Sequence, residues 1–450
     1  MTPRLASAGL VALLAVAPLT TAPARAERCG GEQGWHLGPG ADGTPPEARL
    51  LETWLARWPA EELDRELLTP DEIAALNERN ADMIGAWHDQ LMARQPDPDA
   101  VAAELRERLD EIALRVARGE YVEDQPGAFQ TVGRVIASAH PTDEIRVVHS
   151  VTDFRCVPLA SGLYRKFIDR LFDRNQCSRL HPGEIVRVLR KTPDDRWLYG
   201  RAGHGVGWVD PAALGPPMTA DAMRALRDQT PRLTILDDWI PARRADGELH
   251  LLRFGTGFPI VAADEQQWQI LVPTATGWDD AFVDRGPGVR QGYLPLTRRS
   301  FLALLFARLD DPYGWGGTGS GRDCSGLLLD AAASFDLRLG RNSAIQGKSG
   351  WTVVEVGELG PRDKLAALRE ADSRGIVFLY MPGHIMVYLG DLAGRPFAIS
   401  AISEYLMPCP DGGHRTVRLD RTEVTDLERG GATERRSFLE RITQLSIFGR

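Results

Sequence analysis

The chain has 450 residues and a formal net charge of −9, with 62 acidic and 53 basic residues. Such a surface does not attract polyanions and no basic cluster offsets it, so we expect no nucleic-acid partner. The length predicts three or four domains, and the 5 cysteines are too few to build a fold on disulfides.

Residues 1–26 have the pattern of a secretory signal peptide. Arg4 gives the positive start, residues 10–19 form a short apolar core, and residues 24–26 (ARA) offer a small-residue cleavage site. The apolar core is too short for a stable membrane anchor. Cys29 lies beyond the predicted cut rather than directly after it, which does not fit a lipoprotein signal. We therefore predict an exported chain, in the periplasm or outside the cell, without an integral membrane segment once it is mature.

Residues 27–140 are predicted to form a mainly helical segment. Thr69 is suited to cap a helix that starts at Pro70, and apolar residues follow at near-helical spacing. A second helical pattern runs over residues 101–116, where acidic residues such as Glu104 are expected to form a solvated face. No pattern in this segment points to chemistry.

Two stretches of short alternating strands follow, at residues 141–216 and 217–296. The first contains an alternating run at residues 184–189 and ends with residues 205–209 (GVGWV). This texture resembles a bacterial SH3-like barrel, and the second stretch resembles a more divergent copy. The alternative is two small all-β domains of unspecified fold. Residues 215–217 (GPP) suit a linker between them.

Cys156 and Cys177 flank the long first loop of the first barrel, between candidate strands that can lie side by side. Because an exported chain permits oxidation, we predict a disulfide between them. Cys29 and Cys409 have no predicted partner.

The last third of the chain carries a pattern that points to catalysis. A glycine-rich loop, residues 312–317 (PYGWGG), precedes residues 323–326 (DCSG), and apolar residues at helical spacing follow at 327–335. Cys324 is thus predicted to lie at the start of a buried helix. Free backbone N–H groups and the helix dipole favour a thiolate there, which suits a nucleophile. The alternative is an inert buried cysteine.

A histidine that can serve as the base follows a buried strand. Residues 375–381 predict this strand, residues 382–383 a turn, and His384 begins another strand. Alternation places residues 385, 387 and 389 on one face of that strand and His384 on the other. A histidine there can take the proton of a cysteine at a helix start and form a thiolate–imidazolium pair. The alternative is a structural histidine.

These motifs, with residues 341–343 (RNS) and 383–390 (GHIMVYLG), resemble the NlpC family of papain-like cysteine peptidases, which cut peptides of the bacterial cell wall. The layout resembles the subgroup with an N-terminal helical segment, two SH3-like β-barrels and a C-terminal peptidase domain. The resemblance implies a multidomain α+β protein whose papain-like α+β cysteine peptidase domain occupies residues 297–450. The motifs that make this resemblance specific lie between Tyr313 and Gly390.

The resemblance places the nucleophile on Cys324 and the base on His384. The third catalytic position, usually a histidine in a strand after the base, falls on Ser400. A neutral hydroxyl can accept the imidazole N–H but stabilises an imidazolium less than a carboxylate would. Glu404 and His414 are alternative candidates, which the sequence does not place.

Five further residues match family positions that bind substrate: Tyr313, Trp315, Asp323, Ser325 and Arg341. Asp323 and Ser325 match positions that help hold the free amino end of a wall peptide, and Arg341 matches a basic residue near the substrate carboxylate. Tyr313 and Trp315 match the loop that lines the cleft beside the sulfur. Each has a structural alternative: Asp323 as a helix cap, Trp315 as a core residue and Arg341 in a surface ion pair.

The expected activity is that of an exported cysteine endopeptidase that hydrolyses peptidoglycan stem peptides between D-γ-glutamate and the diamino acid. In the resembling subgroup the first barrel closes one end of the cleft, which implies a preference for a free N-terminal L-Ala. No metal or other cofactor is expected, because no Cys/His ligand cluster stands out. The alternatives are an amidase or transacylase on the same fold, and a non-catalytic cell-wall-binding protein.

Overall fold

The computed structural model describes residues 35–40, 43–84, 91–92, 97–165, 168–228, 231–410 and 413–450. The predicted signal peptide at residues 1–26, like Cys29, lies outside these ranges. No helix within them has the length and apolar character that a membrane span requires. The protein is a multidomain α+β structure, in which two β domains and a C-terminal α+β domain follow a mainly helical segment.

The two halves of the N-terminal segment pack against different neighbours. Its elements are helices α1 (Leu51–Leu55), α2 (Ala60–Asp64), α3 (Pro70–Ile84), α4 (Pro98–Ala117) and α5 (Val132–Ser138), and strands β1 (Trp35–His36) and β2 (Tyr121–Glu123). Helices α1 to α3 pack against the C-terminal domain, whereas α4 and α5 share a core with the first β domain. The N-terminal segment therefore packs against both the C-terminal domain and the first β domain.

Thr69 caps α3 as predicted. Its backbone N–H donates to Oε2 of Glu72 at 2.9 Å, and its hydroxyl accepts the Glu72 N–H at 3.4 Å. The prediction of a solvated face on α4 is wrong at Glu104. Its carboxylate accepts hydrogen bonds from Tyr199 at 2.8 Å and Arg201 at 2.6 Å, because α4 packs across the first β domain.

The first β domain contains strands β3 (His140–Val147), β4 (Thr152–Arg155), β5 (Leu163–Arg165), β6 (Gln176–Leu180), β7 (Ile185–Lys191), β8 (Leu198–Ala202) and β9 (Gly205–Val209). Six of them form one sheet in the order β3-β7-β8-β9-β4-β6, and β5 pairs with β2. The predicted disulfide is confirmed: Cys156 and Cys177 are bonded, with 5.1 Å between their Cα atoms. It joins the end of β4 to β6.

The second β domain begins with helix α6 (Ala220–Arg227) and continues with strands β10 (Arg232–Ile235), β11 (Ile240–Arg244), β12 (Leu249–Leu252), β13 (Gly257–Ala263), β14 (Gln267–Thr274), β15 (Gly277–Asp284) and β16 (Val289–Gln291). The strands form one sheet in the order β12-β11-β15-β14-β13-β10-β16. Leu233, Ile270 and Val283 lie in a separate core, which confirms a second β domain.

The C-terminal domain packs helices on both faces of a 7-stranded sheet. Its elements are helices α7 (Arg298–Phe306), α8 (Cys324–Ala333), α9 (Ser343–Gln346), α10 (Pro361–Arg374) and α11 (Phe438–Arg441), and strands β17 (Thr352–Glu355), β18 (Ile376–Met381), β19 (His384–Leu392), β20 (Arg395–Pro408), β21 (His414–Asp426) and β22 (Gln444–Phe448). The sheet order is β1-β21-β20-β19-β18-β22-β17. Helices α7 and α8 cover one face, and α10 covers the other.

The alternation predicted for β19 is confirmed. Residues 385, 387 and 389 lie in the core shared with α8, whereas residues 386 and 388 lie in the core on the other face. Strands β18 and β19 form a hairpin in which Met381 pairs with His384. Gly383 in the turn has φ +85°, which side-chain-bearing residues rarely adopt. The turn therefore sets where His384 enters the sheet.

Candidate active site

Cys324 is the first residue of α8, as predicted, and Asp323 is its N-cap. The Asp323 carboxylate accepts the backbone N–H of Gly326 at 2.8 Å. At this first position of the helix, the backbone N–H of Cys324 has no intrahelical partner. Its side chain is buried, and it is the free cysteine of the described ranges, since Cys409 is also disulfide-bonded.

The loop before α8 lies against the first β domain. Tyr313 is buried and stacks on Phe172, with 5.4 Å between the ring centroids. Trp315 lies under the guanidinium of Arg174 at 3.8 Å. Gly316 has φ +62°, and a Cβ there would lie 2.5 Å from a backbone oxygen of β6, so only glycine permits this approach. Both predicted cleft aromatics are thus held between two domains.

The Asp323 carboxylate is surrounded by donors. Arg341 binds it through two N–O contacts of 2.9 and 2.7 Å, Gly316 N–H donates at 2.8 Å and the Ser325 hydroxyl at 3.2 Å. Burial raises the pKa of Asp323, but Arg341 and the backbone donors outweigh it and hold the pKa below its ordinary value. The helix-cap reading of Asp323 is confirmed. Its contact with a substrate amine stays a prediction.

Arg341 is held from two domains. Its Nη1 lies 3.0 Å from the Ser325 hydroxyl, and its Nε donates to the Ser178 hydroxyl of β6 at 3.0 Å. Its backbone N–H donates to the carbonyl of His204, in the turn between β8 and β9, at 3.0 Å. The alternative of an ordinary surface ion pair is wrong, because only 14% of the side chain is exposed. Its contact with a substrate carboxylate stays a prediction.

His384 begins β19, and its Nε2 lies 3.2 Å from the hydroxyl of Ser400 in β20. The structure thus brings Ser400 to the imidazole. Glu404 and His414 contact other partners instead, at 3.2 Å and 3.4 Å. The sulfur of Cys324 lies beside the backbone N–H of Ile385, the residue after His384. No hydrogen bond joins the side chains of Cys324 and His384 among the described residues, so the pairing of nucleophile and base stays a prediction.

Burial favours the neutral forms of both groups. It raises the pKa of the Cys324 thiol to about 12, with a further rise from Asp323, and it lowers the pKa of His384 to about 4, with a further decrease from Arg441. Raising a thiol pKa from 9 to about 12 corresponds to roughly 4 kcal/mol, whereas a helix N-terminus supplies at most about 2 kcal/mol. Burial therefore opposes the expected thiolate–imidazolium pair in the substrate-free site, and the pair itself stays a prediction.

Two residues of the site, Ser178 and His204, were not predicted from the sequence. Ser178 lies in an ordinary strand and His204 in a turn, and neither belongs to a motif. The expectation that the first barrel packs beside the cleft was the one indication that residues of this domain lie near the site. No group of three or more potential metal ligands converges within the described ranges.

Comparison with family models matches residues 310–395 to the NlpC/P60 family and residues 163–210 to an SH3 domain of the SH3b1 type. No curated protein matches the chain. Cys324 and His384 lie inside the first match, and Ser400 lies beyond it.

The solved structures that are similar to this chain include two with NlpC/P60 descriptions. One, described as a novel NlpC/P60 endopeptidase from Photobacterium damselae subsp. piscicida, is 16% identical, with a TM-score of 0.70 over 88% of this chain and 96% of that chain. Another, an NlpC/P60 family protein from Bacillus cereus ATCC 10987, is 14% identical, with a TM-score of 0.47 over 68% of this chain and 100% of that chain. The first similarity shows a shared fold over most of the molecule.

Proposed function

We propose that this protein, whose C-terminal domain belongs to the NlpC/P60 family, is an exported cysteine endopeptidase that hydrolyses peptidoglycan stem peptides. The proposal rests on one observation. Cys324, at the start of α8, lies beside the first residues of β19, where the imidazole of His384 lies within hydrogen-bond distance of the Ser400 hydroxyl. In this proposal Cys324 is the nucleophile, His384 the base and Ser400 the group that orients the base. The disulfide in the first β domain supports an oxidising compartment, and hence export.

In this proposal Nε2–H of His384 donates to Ser400, and Nδ1 takes the thiol proton as the Cys324 sulfur attacks the carbonyl carbon. The C–S bond forms while the proton moves, so no charged resting pair is needed. The imidazolium then gives this proton to the leaving amine, the C–N bond breaks, and a thioester remains. Water, deprotonated by the imidazole, hydrolyses the thioester and restores the thiol.

The developing oxyanion needs donors that are already in place. The backbone N–H of Cys324, at the N-terminus of α8, is the first. The Tyr313 phenol is the second, because burial, Asp323 and the Cys324 sulfur raise its pKa and keep it protonated. Both donors are fixed by the fold before substrate binds.

The proposed scissile bond joins D-γ-glutamate to the diamino acid, in peptides that begin with a free L-Ala. The resemblance of residues 313–325 to the family supports this choice, as does the packing of β6 against residues 315–320. An L-Ala ammonium has to compete with Arg341 for Asp323. Because Asp323 keeps Arg341 as a partner when the amine is acylated, we expect only about tenfold discrimination against an N-acetylated peptide.

The test is incubation of the mature protein with L-Ala-γ-D-Glu-diaminopimelate, followed by mass spectrometry. We expect release of diaminopimelate and the dipeptide, and none from Cys324→Ala. Cleavage that persists in this variant would overturn the nucleophile. Products in which an added amine replaces water would indicate a transacylase, and release from an amide other than the proposed bond would indicate an amidase.

A wall-binding protein without catalysis is the second candidate. The burial that disfavours charge on Cys324 and His384 and the hydroxyl at the third position favour it, because neither stabilises a charged catalytic state. Retention on isolated sacculi without release of any peptide would support this candidate and contradict the peptidase.

A further inference from the structure

The first β domain contributes two polar side chains that reach the cleft, Ser178 of β6 and His204. The Ser178 hydroxyl lies 3.0 Å from Nε of Arg341 and 3.0 Å from Nε2 of His204. The carbonyl of His204 also accepts the backbone N–H of Arg341 at 3.0 Å. Ser178 is buried, so bulk water does not replace these bonds.

One of these directions is fixed by chemistry. A guanidinium can only donate, so the Ser178 hydroxyl accepts from Nε of Arg341. The hydroxyl proton can point to Nε2 of His204 at 3.0 Å or to the carbonyl of Arg179 at 3.4 Å, and in either case the hydroxyl lies between His204 and Arg341. On its other side, Nδ1 of His204 lies 3.7 Å from the carboxyl group of Glu184.

At its other end, the guanidinium of Arg341 spans both oxygens of Asp323, the residue before Cys324. A bidentate pair depends on the plane of the guanidinium, and the bond from Nε to Ser178 fixes that plane. If the guanidinium rotated, Asp323 would present an uncompensated negative charge to the sulfur. That charge would oppose the negative sulfur that attacks the substrate.

We propose that Ser178 and His204 are positioning residues, which orient Arg341 so that it neutralises Asp323 beside the nucleophile. They act through Arg341 and touch neither substrate nor reacting atoms, and the inference rests on Cys324 as the nucleophile of the proposed function. The first β domain is then part of the catalytic unit. In agreement with this geometry, and besides the larger effect of burial, Asp323 raises the pKa of the thiol and Arg341 lowers it.

The first test is the rate at which iodoacetamide alkylates Cys324 in the mature protein, between about pH 6 and 10. Ser178→Ala should slow the reaction by about three- to tenfold at each pH and move the profile to higher pH. Ser178→Thr keeps the hydroxyl and should restore the rate. Ser161→Ala is the matched control, because this hydroxyl of the same domain has no hydrogen-bond partner in the described structure. An unchanged profile in Ser178→Ala, or a Thr variant as slow as Ala, would overturn the inference.

The second test is a double-mutant cycle on the tripeptide. Ser178→Ala should lower kcat by about tenfold with little change in KM, the loss expected when a charged group loses one hydrogen bond. In an Arg341→Ala background it should change kcat by less than about twofold, because its target is gone. Equal losses in both backgrounds would show that Ser178 acts independently of Arg341, and the inference would fail.

The two tests separate this inference from the proposed function. If the protein does not cleave the tripeptide but Ser178→Ala still moves the alkylation profile, the positioning role holds and the peptidase assignment fails. If the tripeptide is cleaved and the profile does not move, the peptidase assignment holds and the positioning role fails.

Discussion

The two β domains both reach helix α8, but at different places and through different chemistry. The first reaches the start of the helix indirectly: the Ser178 hydroxyl accepts a hydrogen bond from Arg341 at 3.0 Å, and Arg341 binds the N-cap Asp323. The second packs near the middle of the helix, where Gly255 lies against the backbone of Asp330. There Asp238 binds the Arg322 guanidinium at 2.7 and 2.9 Å, and Arg322 in turn binds Asp330 at 2.7 Å.

This difference indicates that the two β domains, although both are built of short strands, have different roles. Asp238 also contacts Arg253 at 3.0 Å and Arg308 at 3.1 Å, so its removal leaves several buried guanidiniums without their partner. Such a network is hard to change without loss of the fold. A single bond to a hydroxyl contributes about 1 kcal/mol to stability, yet it can orient a charge beside a reacting sulfur. We infer that the second domain fixes the helix and the first tunes the reaction.

Cys324→Ala should have the largest effect and sets the scale for a purely functional change. We expect hydrolysis of the tripeptide to fall by at least about 10³-fold, because the thioester can no longer form. The thermal midpoint should fall only slightly, because the change removes a single buried sulfur from the start of the helix. Calorimetry and the tripeptide assay on the same sample measure both effects. Activity that persists would remove the nucleophile assignment.

Asp238→Ala should have the largest effect on stability. We expect the free energy of unfolding to fall by about 3–5 kcal/mol, while kcat of the folded protein stays within about twofold. Asp237→Ala is the matched control: this neighbour also binds Arg308, but 52% of its side chain is exposed, so about 1 kcal/mol or less is expected. A kcat loss in Asp238→Ala larger than about tenfold would break the proposed division.

The Asp238 contribution should also depend on pH. Burial raises the pKa of its carboxyl, but the hydrogen bonds and charge of Arg322 outweigh this and lower it below the ordinary 3.8. A lowered pKa gives stability that is present above the ordinary value and is lost as the pH falls below it. The difference between the native protein and Asp238→Ala should therefore shrink in acid.

Removing the disulfide should affect both stability and activity, which would sharpen the comparison. A sequence separation of 21 residues predicts a loss of about 3 kcal/mol in Cys156→Ser/Cys177→Ser. Because Cys177 precedes Ser178 in β6, we also expect a several-fold lower kcat at a temperature where the variant is folded. Urea unfolding and tripeptide kinetics measure the two. An unchanged kcat would show that β6 holds Ser178 without the disulfide.

The sequence predicts the parts of the site that depend on local patterns. Helical spacing after Cys324 and alternation after His384 place both residues on the right elements. The Ser178–Arg341 contact joins residues 163 positions apart in different domains, so no local pattern contains it. The burial that opposes the expected ion pair is missed for a related reason, since burial of a thiol depends on packing that a helix-start pattern does not report.

Ser400→Ala should have a smaller effect than His384→Ala, at most about tenfold in kcat, because a neutral hydroxyl orients the imidazole without stabilising its charge. Ser400→His introduces the residue that the family resemblance implies at this position, and we expect it to raise kcat. Ser400 contacts neither β domain, so its effect should add to that of Ser178→Ala. If the effects of Ser400→Ala and Ser178→Ala were strongly non-additive in the double variant, the two residues would act on the imidazole through the same contacts.

Glu184→Gln should have the smallest effect, with a pH dependence opposite to that of Asp238. Burial, and then the nearby Asp330 carboxylate, raise the pKa of Glu184 to about 8, and the backbone of His181 and the charge of Arg341 offset only part of this rise. The folded state therefore keeps this proton between pH 4.5 and about 8 while the unfolded state has lost it. Stability should fall as the pH rises through that window and level off above it.

The Glu184 side chain is 25% exposed and faces a cavity of about 500 Å³ between the domains, where water can reach the charge. We therefore expect a decline of only about 1–2 kcal/mol, and a flatter profile in Glu184→Gln. Urea unfolding of both proteins at about pH 5, 7 and 9 measures it. Parallel profiles would mean that Glu184 ionises freely in the folded state. The first β domain would then contain no carboxyl group with a raised pKa near the contacts that reach Arg341. The difference between the two β domains would in that case rest on their hydrogen bonds alone.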